Sequence, residues 1–378
     1  MTNKKVTRTL AAILMSATVV ASAPAASLTA PVVAEAAINA DSAQLVDIFQ
    51  GMTTSISSDE TDGTHFEEKT FKFYNKSEAV IRLAVTSEDS SVSTTVSIRR
   101  KVNGIYVNVD GEKIDGSVNP KYTYYSLPAS NDPYLLCLKG PYGQENIGIT
   151  ATKVSDISNH LTSAKSIGLS KLVSGQIYTK DDVDCFKFNS GKFNLIKITA
   201  TSGSWASNDY SIYKNTSGST AALVSKFRYN SLGADTLTSN YIKVKPNTNY
   251  YIKTTVWNGD PREYSFKLKG YMDVSDSAKT AKMVKMGKLV NGKVECKDDD
   301  DYYIFKATKS GTVKLTSSAS NAFASDIEVY RKGSASKLFE GGISTSGTQV
   351  KFKVKKNNYY IVKVIGHSSN TTYSFKVK

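Results

Sequence analysis

Hydrophobic and polar residues alternate with a period of two through most of the chain, in short runs. The runs end at clusters of Gly, Ser, Asn and Asp, which favour turns. The clearest runs cover residues 195–199, 210–214, 241–244, 250–256 and 264–269. Short strands spaced in this way are typical of β-sandwiches, so the pattern predicts an all-β protein.

Residues 42–49 depart from this alternation. Leu45, Val46, Ile48 and Phe49 would share one face of a helix, because residues three and four apart lie on the same side. We therefore expect a short helix before the first strand.

One stretch of the chain occurs twice. Residues 180–188 (KDDVDCFKF) return as residues 297–305 (KDDDDYYIF), 117 positions later, and Gly175 matches Gly292 at the same spacing. A duplicated unit of about a hundred residues is too long for a solenoid repeat and suits independently folded domains.

The spacing between the two copies changes once. Residues 249–252 and 358–361 both read NYYI and lie 109 positions apart. This match pairs Tyr250 with Tyr359. We expect both rings in the core. A single eight-residue length difference in the preceding loop explains the change in spacing.

A divergent third copy precedes these two. Residues 71–87 match residues 186–202 at a spacing of 115, but residues 66–69 (FEEK) replace the acidic run. The predicted domains cover residues 38–154, 155–270 and 271–378. We expect each to be a jelly-roll-like β-sandwich.

The first 37 residues have the three parts of a secretory signal peptide. Basic residues open the chain, an apolar run covers residues 10–21, and small residues with cleavage motifs continue to Ala37. We therefore expect a secreted, extracellular protein, released or associated with the cell surface. No stretch of the predicted mature chain is long and apolar enough for a membrane span.

The cysteines do not suggest a disulfide framework. Cys137, Cys185 and Cys296 each fall in a different copy, so no domain contains a pair. Stability is therefore expected to come from apolar cores.

Each acidic run stands where a strand begins. Its carboxylates would accept backbone N–H groups in a turn, or would supply hard oxygen ligands to calcium. The runs lack the central Gly and terminal Glu of an EF-hand loop. Both interpretations stay open. The candidate ligands are Asp181, Asp182, Asp184 and Asp209 in the second domain and Asp298, Asp299, Asp301 and Asp326 in the third.

The order of these motifs resembles a known family. A glycine, the acidic run and two alternating aromatic residues precede D-x-x-[IV]-Y and Y-S-F-K-[LV] in residues 155–270 and again in 276–378. This order resembles the bacterial pre-peptidase C-terminal domain, which is itself similar to the collagen-binding domains of clostridial collagenases. The resemblance implies a compact sandwich of about eight strands, usually attached to a secreted hydrolase, with calcium or matrix proteins as ligands in some members. We expect no hydrolase in this chain, which departs from that common arrangement.

Nothing in the sequence indicates catalysis. The three histidines, His65, His160 and His367, have no partner constellation, and neither HExxH nor G-x-S-x-G occurs. Adjacent aspartates in one turn are better explained by solvation or a cation than by two carboxylates across a cleft. We therefore expect no enzyme, and the absence of a nucleic-acid motif in an exported chain argues against a nucleic-acid partner.

The excess positive charge is concentrated in the last domain. The formal charge of the whole chain is +14, and residues 271–378 carry 19 Lys and Arg against 10 Asp and Glu. Lysines alternate with apolar residues in two predicted strands, which places them on an outward face. They are Lys351, Lys353, Lys355, Lys376 and Lys378. This face is either a docking surface for a polyanionic glycan or protection of an exposed strand edge.

Exposed aromatic residues form a second candidate surface, and two of them, Trp205 and Trp257, lie in predicted loops. Trp205, Trp257 and Tyr124 suit recognition of an extracellular protein or sugar, because a rigid ring gives contact area at small entropic cost.

Three functions remain compatible with these features. The first is a secreted non-catalytic binding protein, or adhesin, that recognises a host or cell-envelope macromolecule. The second is a factor that binds a host protein such as an immunoglobulin or a matrix protein. The third is an accessory subunit that targets a separately encoded secreted hydrolase.

Overall fold

A computed structural model describes residues 40, 42–56, 68–87, 94–114, 120–140, 145–202, 207–230, 238–256, 262–274, 276–296, 299–320, 325–367 and 370–378. Within these ranges the structure is almost entirely β, as the alternation predicts. Helical turns there are limited to two 3-10 segments, Leu161–Ser163 and Thr220–Ala222. No helix in the described part of the chain is long and apolar enough to cross a membrane.

The described part of the first sandwich contains nine strands. They are β1 (Gln44–Leu45), β2 (Met52–Ile56), β3 (Glu68–Phe73), β4 (Ala79–Ser87), β5 (Thr94–Val102), β6 (Ile105–Ile114), β7 (Lys121–Leu127), β8 (Tyr134–Lys139) and β9 (Glu145–Lys153). One sheet has the order β1-β3-β8-β5-β6 and the other β2-β9-β4-β7.

The second sandwich repeats this arrangement. Its strands are β10 (Lys165–Ser166), β11 (Leu172–Ile177), β12 (Asp184–Asn189), β13 (Leu195–Ser202), β14 (Ser207–Tyr213), β15 (Leu223–Asn230), β16 (Thr238–Lys243), β17 (Asn249–Val256) and β18 (Arg262–Tyr271). The sheets have the orders β10-β12-β17-β14-β15 and β11-β18-β13-β16.

The third sandwich has the same topology again. Its strands are β19 (Lys282–Met283), β20 (Leu289–Val294), β21 (Asp300–Lys306), β22 (Gly311–Ala319), β23 (Ser325–Arg331), β24 (Lys337–Gly342), β25 (Thr348–Val354), β26 (Tyr359–Gly366) and β27 (Thr371–Val377). The sheets have the orders β19-β21-β26-β23-β24 and β20-β27-β22-β25. Tandem duplication of one β-sandwich is therefore confirmed.

Each sandwich buries the inward residues of its alternating strands between two sheets. A stacked pair of aromatic rings recurs in all three cores at equivalent strand positions. The pairs are Phe73–Tyr134, Phe188–Tyr250 and Phe305–Tyr360, with ring centroids 5.4, 5.8 and 5.5 Å apart. The recurrence shows that the divergent first copy keeps the same core.

The predicted helix over residues 42–49 is wrong. Gln44 and Leu45 form β1, which pairs in parallel with Phe71 and Lys72 of β3. A turn follows, and Ile48 is fully buried in the core. Pairing with the sheet edge satisfies the backbone N–H and C=O groups of these residues better than a helical turn does. Strands β10 and β19 extend the sheets of the other two domains in the same way.

The predicted match of Tyr250 with Tyr359 is wrong by one residue. Tyr250 lies opposite Phe188, whereas Tyr360 lies opposite Phe305, so the true spacing here is 110. Tyr359 is 38% exposed. A shift of one residue moves a side chain to the other face of a sheet, and the aromatic pair in the core determines the register.

The cysteines are unpaired, as expected from their distribution. All three thiols are free, and Cys137 and Cys185 are buried. Burial raises the pKa of Cys185 to about 12, so its thiol is protonated and unreactive at neutral pH.

Candidate functional site

Two clusters of aspartates occupy equivalent places in the second and third sandwiches. The first consists of Asp156, Asp182 and Asp184, and the second of Asp273, Asp299 and Asp301. Each member of the second cluster lies 117 positions after its counterpart. Within each cluster, one carboxylate oxygen from every residue lies within 4.8 Å of the others.

The middle aspartate of each cluster belongs to a turn before a strand. Asp182 Oδ2 accepts a hydrogen bond from the Tyr178 N–H at 2.7 Å, and Asp299 Oδ2 accepts one from the Glu295 N–H at 2.8 Å. The predicted turn, with carboxylates that accept backbone N–H groups, is therefore present in both domains. Each bond uses one carboxylate oxygen, and Asp182 Oδ1 is buried without a hydrogen-bond partner.

The last aspartate of each cluster is held by a tyrosine from the opposite sheet. The Tyr264 hydroxyl donates to Asp184 Oδ2, and the Tyr373 hydroxyl donates to Asp301 Oδ2. Both aspartates are fully buried, and the Oδ1 atom of each has no hydrogen-bond partner.

The repeated glycines make room for these tyrosine rings. Gly175 lies opposite Tyr264 in the sheet, and Gly292 lies opposite Tyr373. A Cβ on Gly292 would stand 2.2 Å from Cζ of the Tyr373 ring. The close approach therefore requires glycine, which explains why the glycine is repeated along with the acidic run.

The remaining aspartate comes from the linker that enters each domain. Asp156 follows β9 and is the most exposed member of its cluster, and Asp273 follows β18. The Asp273 N–H donates to Asn194 Oδ1 at 2.8 Å, which fastens the second linker to the preceding domain. These two ligand candidates were not predicted. The signal was available, because D-I-S at 156–158 and D-V-S at 273–275 keep the spacing of 117.

Burial raises the pKa of Asp182, Asp184 and Asp301 far above the usual value of an aspartate. The pKa of Asp182 rises to about 7 because the group is buried and lies near Asp156. Burial raises the pKa of Asp184 to about 8 and that of Asp301 to about 7, although a tyrosine hydroxyl stabilises each charged form. At neutral pH the bare clusters therefore hold protons, and a bound cation would replace these protons.

The residues fit a hard divalent cation. Each cluster converges three carboxylates from a linker, a turn and a strand, and leaves buried oxygen atoms without partners. Calcium takes six to eight oxygen ligands, often including backbone carbonyls and water, so three carboxylates can form the protein part of its coordination.

The other predicted ligands lie elsewhere. Asp181 is exposed, and Asp209 forms two hydrogen bonds with Arg228, at 2.7 and 3.1 Å. Asp326 lies 2.8 Å from Nε2 of His367. Neither Asp209 nor Asp326 belongs to a cluster. Asp298 lies outside the described residues.

The predicted lysines share one sheet face in the third domain. Lys351 and Lys353 lie on the outward side of the edge strand β25, and Lys376 lies on the outward side of β27. Lys355 and Lys378 follow these strands directly. The structure adds Lys314 on β22, which the alternation of lysines with apolar residues does not reveal because no second lysine lies two positions from it. We call these six residues the lysine face.

No acidic residue occurs in the four strands that form this sheet, β20, β22, β25 and β27. Lys314 and Lys351 lie directly opposite each other in the strand register. Like charges in this position destabilise a sheet. The lysine face therefore carries concentrated positive charge at some cost to stability.

The predicted aromatic surface is described only in part. Trp205 and Trp257 lie outside the described residues. The ring of Tyr124 lies 5.1 Å, between centroids, from that of Tyr178 in the second domain. Tyr124 therefore contributes to the contact between the first two sandwiches.

Comparison with known proteins identifies no family. No family model matches the chain, and no curated protein matches it. The structure of Sulfolobus turreted icosahedral virus is 12% identical, with 86% of this chain and 89% of that chain covered and a TM-score of 0.20. Tripeptidyl peptidase 2 is 8% identical, with 86% and 33% covered and a TM-score of 0.25. The PBSX exported protein XepA is 9% identical, with 59% and 88% covered and a TM-score of 0.19. These TM-scores are too low to support a functional inference.

Proposed function

We propose that the chain is a secreted, non-catalytic binding protein that docks on an acidic glycan through the lysine face of its third domain. Its three sandwiches would be distant members of the pre-peptidase C-terminal domain family. The observation that supports docking is a sheet face with six lysines and no acidic residue in its strands.

The position of the lysines favours docking over edge protection. Only β25 is an edge strand among the strands that bear these lysines, whereas β22 and β27 lie inside the sheet. Lysine on an edge strand prevents pairing with another chain, but an inner strand is already paired. Lys314 and Lys376 are therefore not explained by edge protection.

Replacing two lysines of this face is expected to weaken glycan binding. The variant Lys351→Gln with Lys353→Gln should bind immobilised heparin, a sulfated glycan, about tenfold more weakly at low salt, since each exposed charge contributes up to about 1 kcal/mol. Binding of the unchanged protein should weaken steeply with salt, because screening shortens the reach of exposed charges. Surface plasmon resonance at two salt concentrations measures both effects.

A matched variant controls for net charge. Lys267→Gln with Lys269→Gln removes the same charge from two exposed positions on β18 of the second domain. This variant should bind heparin like the unchanged protein. An equal loss of heparin binding in both variants would show that binding depends only on the total charge. Heparin binding that is insensitive to salt and survives the substitutions in β25 would overturn the proposed docking surface.

We also propose that each acidic cluster holds a calcium ion with a structural role. The fully buried Asp184 and Asp301, each with a carboxylate oxygen that lacks a partner, support this role. Burying a charged oxygen without a partner is costly, and a divalent cation would offset that cost. Because Asp156 and Asp273 come from linkers, the ion would fasten each linker to the domain that follows it.

A further inference from the structure

The second acidic cluster already contacts a cation that belongs to the chain. Lys243 is the last residue of β16 in the second sandwich, and its Nζ lies 2.7 Å from Asp299 Oδ1 in the third. The same ammonium group contacts the carboxylate of Asp276 in the linker. Lys243 thus joins two successive domains at the cluster itself.

The first cluster has no lysine at the equivalent position. Lys243 lies opposite Leu195, and the counterpart of Leu195 in the first domain is Val80, which lies opposite Ser126. The preceding domain supplies an acid at this junction instead. Glu78 accepts a hydrogen bond from Asn159 Nδ2 at 2.8 Å and lies 2.8 Å from His160 Nε2. Two junctions built on equivalent aspartates therefore differ in the charge that the preceding domain supplies.

We propose that Lys243 is a built-in counter-ion that competes with calcium at the second cluster, so that the two clusters bind calcium unequally. This inference rests on the proposed calcium sites. Both clusters keep buried carboxylate oxygen atoms without hydrogen-bond partners, but the first has no lysine at the position of Lys243 and therefore takes the ion with higher affinity. At the second cluster the ion binds only after Lys243 leaves Asp299, because two cations at one carboxylate repel each other strongly in a buried site.

Competition couples calcium to the joint between the second and third domains. The ion pair of Lys243 with Asp299 joins the second domain to the third. A calcium ion bound at the second cluster would break this interdomain ion pair. Asp299 would then contact the ion within the third domain instead. At low calcium the lysine holds the domains together, and at high calcium the ion releases this bond. The second cluster is thus a calcium-sensitive joint, whereas the first is a permanent calcium site.

Calorimetric titration of residues 38–378 with calcium chloride tests the proposal. The unchanged protein should show one tight and one weaker site, and Lys243→Met should strengthen the weaker site by about tenfold or more, because the competing charge is gone. Lys243→Arg keeps the charge and should leave the weaker site weak. Lys245→Met, an exposed lysine two positions away, is the matched control.

Substitutions in the clusters assign the two sites. Asp184→Asn should remove the tight site, and Asp301→Asn the weak one. Equal affinities at both clusters, unchanged by Lys243→Met, would overturn the competition while leaving calcium binding intact. Absence of calcium heat from the unchanged protein and from Lys243→Met would overturn the calcium sites themselves. If Lys243→Met fails to fold, Asp184→Asn and Asp301→Asn in the otherwise unchanged chain still show which cluster is the tight site. That assignment decides the order of affinities.

Discussion

Without calcium, the protein is expected to lose stability as the pH rises from about 5 to about 8, and calcium is expected to restore it. The pKa of Asp184 in the folded protein is about 8 and that of Asp182 about 7, whereas an unfolded aspartate has a pKa of about 3.9. The folded state therefore binds more protons than the unfolded state over this range. A group with a raised pKa contributes stability at low pH, and the contribution is lost as pH passes through the folded value.

Calcium should have its largest effect where the carboxyl groups ionise. At pH 8 the ion replaces the lost protons, and a free concentration a hundredfold above its dissociation constant would add about 2.7 kcal/mol per site. For a domain of about a hundred residues this corresponds to an increase of about 10 °C or more in melting temperature. At pH 5 protons compete for the same oxygen atoms, and the increase should be small. Thermal unfolding followed by circular dichroism, with chelator or with calcium at both pH values, measures the difference.

One neighbouring aspartate provides the control for this effect. Asp181 is exposed and lies next to Asp182, but it does not belong to the cluster. Asp181→Asn should keep the calcium response, and Asp182→Asn with Asp184→Asn should remove it from the second domain. Identical melting curves with chelator and with calcium at pH 8 would leave the acidic runs with a purely structural role in the turns.

Gly292→Ala is expected to destabilise the third domain by about 2–4 kcal/mol. The new Cβ would stand 2.2 Å from Cζ of the Tyr373 ring. This ring is buried, and its hydroxyl group donates a hydrogen bond to Asp301. Overpacking of this kind costs about 1–3 kcal/mol, and loss of a hydrogen bond to a buried carboxylate adds to that cost. Urea unfolding of the purified protein measures the change.

Two further variants identify the contact with Tyr373 as the cause. Gly342→Ala in the same domain places its Cβ 3.6 Å from Asp326 Oδ1, an ordinary contact, and should change stability by less than about 1 kcal/mol. In a Tyr373→Ala background the ring is gone, so Gly292→Ala should cost far less than it does alone. Additive effects of the two substitutions would show that Gly292 and Tyr373 do not interact.

The repeat made the sandwich and part of the acidic site predictable from sequence. Alternating residues identified the strands, and the spacing of 117 placed Asp182 with Asp299 and Asp184 with Asp301. Residues 42–49 were misassigned because two residues of β1 are too few to show alternation. Tyr359 was misassigned because two adjacent tyrosines match equally well in two registers, and only the pairing of Tyr360 with Phe305 distinguishes them.

The turn aspartates can be predicted from the chain alone, since a local run of residues forms each turn and its first hydrogen bond. The other groups that meet these aspartates are set by the packing of sheets and domains. At the first cluster, Asp156 comes from a linker and Tyr264 from the opposite sheet. At the second cluster, Lys243 comes from the preceding domain. Strand pairing likewise brings Lys314 beside Lys351, although the two lie far apart along the chain. Such groups converge because burial of the apolar strand faces fixes the packing of sheets and domains, and no local pattern in the chain records that packing.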